Sequence, residues 1–402
     1  MGKIKQQHIF RRLLMNVLYI SPHYPPHYQQ FAESLARHNV RVLGITDQTD
    51  EQLPENLRHA LTGHYKVDQL ENLEQVLAGA RFFEENFGKI DHVESHLEPW
   101  LETEAEIRKA LNIPGFKPED IAFIKRKSQM KQVFEKAGVP HAKGIIVKDF
   151  DQCMEFINEV GYPVFIKPDI GVGAYDTYTI KNELDLNEFF RVASDYDYYM
   201  EEYVQGDIES FDGLTDKDGN IVFFGSNVFN NDIHKLVKLN QNCWYYTQRE
   251  VPEELEKYGR AVVKATGTKA KFFHIEFFKV KGKPYTYQAL EINMRPPGGV
   301  TTHMFNFGCD IDVYNWWASI VAGENPKRDY ERKYFCAYVG RKYDREYANT
   351  HDEIMEKWGT NICWSHAMNP IEAGVMGSWG YLVRSADKEE MIGIVEDIIA
   401  EA

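Results

Sequence analysis

Two extended segments joined by a short turn constrain this chain more than any other feature. Residues 273–280 and 285–292 are rich in β-branched and aromatic side chains, and Lys281-Gly282-Lys283-Pro284 between them predicts a hairpin. A turn centred near its glycine places Glu276 and Glu291 diagonally on one face. Diagonal neighbours lie about 7–8 Å apart between backbones, so both carboxylates can reach a shared cation.

The second segment continues with a carboxylate, an amide oxygen and a guanidinium at alternate positions, Glu291, Asn293 and Arg295. Period 2 puts these three side chains on the same face of a strand. Hard cations such as Mg²⁺ take oxygen ligands, usually one or two carboxylates together with phosphates. The pattern therefore predicts a metal and phosphate site. The alternative is the solvated polar face of an ordinary hairpin, since so short a pattern is common.

Composition limits the classes of protein that this chain can be. With 402 residues and 43% hydrophobic residues, it is expected to form two or three domains. The formal net charge of −15 argues against a nucleic-acid surface, which needs clustered Lys and Arg. The five cysteines lack paired spacing, so neither a disulfide framework nor a zinc ribbon is expected, and a reducing cytoplasm suits them. Residues 10–19 are too short and too charged for a membrane span.

A third pattern lies around Lys167. Residues 163–168 predict a strand, which runs into a loop containing Gly171 and Gly173 and is followed by a second extended run over 175–180. The backbone amides of such a loop can fold over phosphates, and the lysine supplies a point charge beside them. A plain hairpin with a glycine turn is the alternative.

The order of these features along the chain is more specific than any one of them. Taken in sequence they are Lys127, Lys167 with its glycine loop, residues 199–206, Glu276, and Glu291-x-Asn293-x-Arg295. In this order the sequence resembles the ATP-grasp superfamily, and within it the carboxylate–amine ligase branch that is similar to biotin carboxylase. The resemblance covers roughly residues 113–325.

The resemblance implies a role for each matching residue. The nucleotide would be bound by Lys127, Lys167, Gly171, Gly173, Glu201, Glu202, Tyr203, Val204 and Glu209. Magnesium would be held by Glu276, Glu291 and Asn293, and Arg295 would steady an acyl phosphate. One position departs from the family pattern, because Arg126 stands where members often carry Asp before the first lysine. Lys127 on its own also fits a solvated basic run, and Arg295 a surface salt bridge.

The fold class expected is α/β and α+β in three parts. Strand, helix and strand patterns at residues 16–45 predict that residues 1–112 form an N-terminal α/β domain with a doubly wound parallel sheet. By resemblance, residues 113–325 would be a two-lobed ATP-grasp domain. Residues 326–402 are expected to be a small C-terminal α+β domain. Within it, Arg341 fits a substrate carboxylate fork and a surface salt bridge equally well.

The activity implied by the resemblance is an ADP-forming ligation of a carboxylate to an amine through an acyl phosphate. Its substrates would be ATP with one or two Mg²⁺ or Mn²⁺ ions and small amino-acid-like or dipeptide-like molecules, with no nucleic acid or membrane partner, and a homodimer would be one arrangement. Two alternatives stay open. One is an ATP-dependent carboxylase that uses bicarbonate, and the other is a nucleotide-binding module without chemistry. The segment 230–249 has no assigned role.

Overall fold

The computed structural model describes residues 14–171, 176–230, 240–324 and 328–402. These residues form two compact units. The first contains the chain up to Ser95, Glu102–Gly115 and the stretch that begins at Ala318. The second contains His96–Leu101, the chain from Phe116 to Trp317, and the C-terminal residues.

The first unit is built on a parallel sheet. Its strands follow the spatial order β3-β2-β1-β4 and are β1 (Asn16–Ile20), β2 (Arg41–Thr46), β3 (Gly63–Lys66) and β4 (His92–Glu94). Its helices are α1 (Gln29–Arg37), α2 (Glu55–Ala60), α3 (Leu73–Phe87) and α4 (Leu101–Ala110). All five residues of β1 are buried, as expected of a strand that helices cover on a parallel sheet. The predicted parallel sheet is confirmed, although β3 was not predicted.

The second unit contains a small antiparallel sheet of order β5-β8-β6-β7. Its strands are β5 (Gly144–Ile146), β6 (Val164–Pro168), β7 (Tyr178–Ile180) and β8 (Tyr198–Glu202). The helices of this region are α5 (Pro118–Lys125), α6 (Lys127–Ala137), α7 (Phe150–Val160) and α8 (Glu183–Val192). One sheet face packs on α7 and α8 through Ile166, Met200 and Phe189. The alternating residues Lys167, Tyr199 and Glu201 therefore lie on the other face.

The same unit contains a larger sheet, with the order β14-β13-β9-β11-β12-β15-β17-β16 and β10 paired to β9. Its strands are β9 (Gly206–Thr215), β10 (Ile221–Gly225), β11 (Asn227–Phe229), β12 (Trp244–Thr247), β13 (Phe272–Val280), β14 (Tyr287–Asn293), β15 (Phe335–Arg341), β16 (Ile362–Ala367) and β17 (Trp379–Ser385). The remaining helices are α9 (Glu253–Thr266), α10 (Thr301–Cys309), α11 (Val313–Val321), α12 (His351–Trp358), α13 (Pro370–Met376) and α14 (Lys388–Ile399). Three 3₁₀ turns, Pro26–Tyr28, Asp50–Gln52 and Glu98–Trp100, complete the described elements.

The helix α9 covers one face of this sheet. A Cβ on Gly259 would lie 2.1 Å from the ring of Phe211, so glycine is required for the helix to approach β9 this closely. Phe211 stacks on Phe273 of the neighbouring strand, with ring centroids 5.6 Å apart. Because side chains alternate, the even-numbered residues of β9 and β13 face away from α9.

The C-terminal strands extend the large sheet. Pairing of Trp244 with Val339 joins β12 to β15, and β17 and β16 follow. Helix α14 packs on β15 and β17 through Ile394 and Val395. Residues 326–402, expected as a separate domain, therefore belong with the second compact unit as far as they are described. Within the described ranges, no helix is both long and apolar enough to cross a membrane.

Candidate active site

The two predicted metal-ligating carboxylates lie directly opposite each other. Glu276 of β13 pairs with Glu291 of β14, and His274 pairs with Asn293 two residues further on. All four side chains therefore share the sheet face away from α9. The predicted diagonal placement of the two glutamates was wrong, and a direct pair brings their Cβ atoms closer, to about 4.5–5.5 Å.

A β-bulge causes this difference. Near the turn, Lys279 pairs with Tyr287 and Phe277 with Ala289, a register that would send Glu291 to the opposite face from Glu276. The register shifts between Glu276 and Phe277, which inserts one extra residue into β14 and returns Glu291 to the face of Glu276. The hairpin turn alone could not predict this shift.

The environment shifts the pKa values of the two carboxyls in opposite directions. Burial raises the pKa of Glu291, and the neighbouring Glu276 adds to the rise while Lys127 opposes it. Burial acts in the same direction on Glu276, but the bond from His274 and the charges of Arg295 and Lys167 hold its pKa below the ordinary value. The side chains are 22% and 24% exposed. Two facing carboxyls with the amide of Asn293 on the same face fit a hard divalent cation, which would relieve their repulsion.

Three buried lysines lie near these carboxyls. Lys127 and Lys131 are one turn apart at the start of α6, and Lys167 is on β6. Lys127 Nζ lies 3.5 Å from Glu291 Oε1 and donates a hydrogen bond to the carbonyl of Gly171. The structure thus brings the first predicted lysine to the second predicted metal ligand.

Glu201 binds the other two lysines, one with each carboxylate oxygen. Lys167 Nζ is 2.5 Å from Oε1, and Lys131 Nζ is 2.9 Å from Oε2. Burial alone would raise the pKa of Glu201, but the two ammonium groups lower it to about 2. Burial lowers the pKa of Lys131 despite the attraction of Glu201. Glu201 balances one of these two positive charges, and Lys167 also acts on Glu276 and Glu291.

The predicted nucleotide-binding residues that follow Glu201 join the small sheet to the large one. Residues Tyr203–Gln205 connect β8 to β9. Glu202 is held on the small sheet by Lys143, whose carbonyl accepts from the Glu202 amide at 3.0 Å and whose amide donates to the Glu202 carboxylate at 2.7 Å. Tyr203 is 48% exposed, and Val204 is half-buried. The backbone of this connection is thus placed between the two sheets.

Arg295 forms an ion pair with Glu98 of the 3₁₀ turn. Its Nη2 and Nε lie 3.0 and 3.3 Å from Glu98 Oε2, and its Nη1 donates to the carbonyl of Pro296 at 2.9 Å. The contact with Glu98 fixes the orientation of the guanidinium, and the charge of Arg295 also acts on Glu276.

Glu209 does not join this group. It pairs with Phe277 across the ladder and therefore lies on the α9 face. Its carboxylate accepts from Lys279 at 2.9 Å, Tyr287 at 2.7 Å and Gln248 at 3.2 Å. The predicted contact of Glu209 with the nucleotide stays a prediction that this placement does not favour. Gly173 lies outside the described residues.

The departure at Arg126 has a structural explanation. Its Nη1 lies 3.0 Å from both Asp169 Oδ2 and Asp197 Oδ2. Asp169 is fully buried and also accepts from the amide of Ser128 at 2.8 Å. The arginine thus ties the start of α6 to the strand end that precedes the glycine loop.

Two other segments have structural contacts. Arg341 is 8% exposed, its Nε donates to the carbonyl of Ile398 at 2.6 Å, and its guanidinium lies 4.6 Å from the ring of Tyr347. Arg249 donates to the carbonyls of Arg332 and Ala386. In the unassigned segment 230–249, residues 231–239 lie outside the described residues and Trp244–Thr247 forms β12.

Comparison with known proteins agrees with this geometry. Residues 126–296 match the family model of the carbamoyl-phosphate synthase L chain, ATP-binding domain. Over these residues the chain is similar to an ATP-grasp domain. The predicted superfamily is thereby confirmed for this part of the chain, which includes Lys127, Lys167, the connection between the two sheets and the hairpin with the predicted metal ligands.

Similar proteins extend the match. The 2-oxoglutarate carboxylase small subunit of Hydrogenobacter thermophilus is 28% identical over 228 residues, which cover 53% of this chain and 46% of that protein. The chain therefore spans less than half of that relative. The solved L-amino acid ligase from Bacillus licheniformis has a TM-score of 0.71 at 15% identity, with 96% of both chains covered. The biotin carboxylase domain of the Hydrogenobacter carboxylase, solved with MgADP and bicarbonate, has a TM-score of 0.67 at 18% identity, covering 95% of this chain and 88% of that one. These similarities show that the chain shares the fold of the two solved proteins.

Proposed function

We propose that the protein is an ATP-dependent carboxylate–amine ligase that forms ADP and phosphate. The observation that carries this proposal is the shared face of Glu276, Glu291 and Asn293, with Lys127 3.5 Å from Glu291. Phosphoryl transfer needs mainly positioning and neutralisation of charge, and lysines, a cation site and an arginine supply both. No nucleophilic side chain is required.

In this proposal each part of the site has one task. The backbone of residues 201–204 borders the base, while Lys127 and Lys167 hold phosphate oxygens. Glu276, Glu291 and Asn293 hold one or two Mg²⁺ ions, which would screen the phosphate charges when bound. Arg295, kept in place by Glu98, steadies the phosphate that is transferred to the substrate carboxylate. Amine attack on that acyl phosphate forms the amide and releases phosphate.

The substrates follow from chemistry and likeness together. An amino-acid or dipeptide-like pair is proposed because the L-amino acid ligase matches this chain over 96% of both lengths. A carboxylase that uses bicarbonate is the second candidate, and the likeness to the Hydrogenobacter carboxylase favours it.

Phosphate release separates these candidates. The protein is incubated with ATP and Mg²⁺ and a panel of amino acids and dipeptides, with and without bicarbonate, and the Glu291→Gln variant serves as the control for contaminating ATPase. Release that requires an amine-bearing substrate and not bicarbonate supports the ligase, with the amide identified by mass spectrometry. Release that requires bicarbonate supports the carboxylase. If the protein binds MgADP but releases no phosphate under any of these conditions, both enzymatic candidates are contradicted, and a non-catalytic nucleotide-binding module remains.

A further inference from the structure

Three side chains are connected in a line that ends at the proposed metal ligand Glu276. His274 Nδ1 lies 2.5 Å from Asp212 Oδ1, and His274 Nε2 lies 3.1 Å from Glu276 Oε1. Asp212 is fully buried and the His274 side chain is 6% exposed. Each ring nitrogen thus faces a carboxylate oxygen, an arrangement in which both nitrogens donate.

The inner end of this line is rigid. Asp212 and His274 are direct partners in the β9–β13 ladder, so their backbones are fixed by the sheet. The second oxygen of Asp212 accepts from Ser210 Oγ and Asn227 Nδ2, each at 2.5 Å. Asp212 therefore has little freedom to rotate, and it fixes the plane of the imidazole.

At the outer end of this line, His274 restricts the Glu276 carboxylate. Because Oε1 accepts a bond from His274, rotation of this carboxylate is restricted, and Oε2 is left as the oxygen for a cation. Ligands of metal ions are commonly oriented by hydrogen bonds from a second layer of residues. Asn293, the ladder partner of His274, lies beside the same line.

We propose that Asp212 and His274 are positioning residues that hold Glu276 in the orientation that binds Mg²⁺. This inference rests on the proposed function, since it takes Glu276 as a ligand of Mg²⁺. It assigns a task to a buried aspartate and a buried histidine to which the proposed function gave none.

Two substitutions at His274 test whether its hydrogen bond to Glu276, rather than its buried bulk, supports Mg²⁺ binding. The side-chain nitrogen of Gln reaches about as far as Nε2, so His274→Gln keeps a donor to Glu276, whereas the shorter His274→Asn keeps one to Asp212 only. ADP affinity is measured by calorimetry with and without Mg²⁺. We expect His274→Asn to weaken MgADP binding by about 10–100-fold, the usual effect of losing such a partner. ADP without Mg²⁺ should bind within about twofold of wild type. His274→Gln, which loses the contact with Asp212 but keeps the donor to Glu276, should retain more MgADP affinity than His274→Asn.

A matched control is His303→Gln, which alters another buried histidine, one that contacts Tyr314 at 3.1 Å. It should leave MgADP affinity unchanged. Should His274→Asn fail to fold, Asp212→Asn keeps the size of the side chain and carries the same expectation. Wild-type MgADP affinity in His274→Asn, or parallel loss of ADP and MgADP binding, overturns the positioning role. Absence of nucleotide binding by the wild-type protein overturns the proposed function instead.

Discussion

Arg295 and Glu98 form an ion pair in which two guanidinium nitrogens, Nη2 and Nε, lie 3.0 and 3.3 Å from one carboxylate oxygen. Their side chains are 20% and 11% exposed, so each charge depends on the other. Breaking a largely buried pair by removing one partner is costly, because the remaining charge stays in a poorly hydrated place. Substitution of Arg295 should therefore change both its proposed role in catalysis and the stability of the protein.

Arg295→Ala is expected to lower turnover by about 100-fold or more, the usual effect of losing one charged donor to a transition state. It should also lower the free energy of unfolding by about 1–3 kcal/mol, because Glu98 loses its partner. The double variant with Glu98→Gln should recover stability without recovering turnover. Phosphate release and thermal unfolding measure both quantities. Wild-type turnover in Arg295→Ala would remove this arginine from the chemistry.

Glu291→Gln tests the facing carboxyls. Burial and Glu276 both raise the pKa of Glu291, which means that its ionised form is disfavoured in the folded protein. An amide removes that charge at constant size, so stability should stay equal or rise by up to about 1 kcal/mol. Magnesium-dependent turnover should be lost, because an amide is a weaker ligand than a carboxylate. A variant that unfolds more easily and keeps turnover would contradict the assignment on both counts.

Glu201 predicts a pH dependence of stability. Its pKa falls from 4.5 to about 2 in the folded protein, because Lys131 and Lys167 outweigh the effect of burial. A carboxyl with a depressed folded pKa stabilises the protein above its unfolded pKa, and that stabilisation is lost as pH falls toward the folded value. Glu201→Gln should therefore be less stable than wild type at pH 7. The difference should be about 3 kcal/mol or less, because burial already disfavours the charged form of Lys131. The difference should shrink between pH 4.5 and about 2. A gap that stays constant in urea titrations over this range would show that Glu201 is not ionised.

The order of motifs along the chain was enough to identify the ATP-grasp domain and to name residues that the fold brings together. Lys127 and Glu291 are 3.5 Å apart although more than 160 positions separate them in sequence. Local period and turn chemistry also predicted the hairpin itself, β13 and β14. These features are encoded locally, so a pattern along the sequence retains them.

The remaining features depend on contacts between distant segments. The bulge in β14 adjusts the register near Glu276, and no residue in the turn specifies it. Asp212 joins the site only because β9 pairs with β13, and Lys131 only because α6 lies over Glu201. The spacing in sequence is nevertheless consistent with both contacts, since Lys131 follows Lys127 by one helical turn and His274 precedes Glu276 by one strand period.

Arg126 offers a test of how the site is held from outside. Its guanidinium bridges the fully buried Asp169 and the exposed Asp197, and hydrogen bonds to both raise its pKa. Since the Arg126 side chain is 36% exposed, solvent screens the pair, and Arg126→Met should cost about 1 kcal/mol of stability. Asp197→Asn is the matched control, because it removes only the exposed partner and should cost less. The KM for ATP should rise in Arg126→Met and stay near wild type in Asp197→Asn, because only the first substitution disturbs Asp169. The carbonyl of Asp169 accepts a hydrogen bond from the amide of Lys127 at 2.9 Å and so positions the backbone of that lysine. Equal KM values in both variants would show that Asp169 holds this backbone without the arginine.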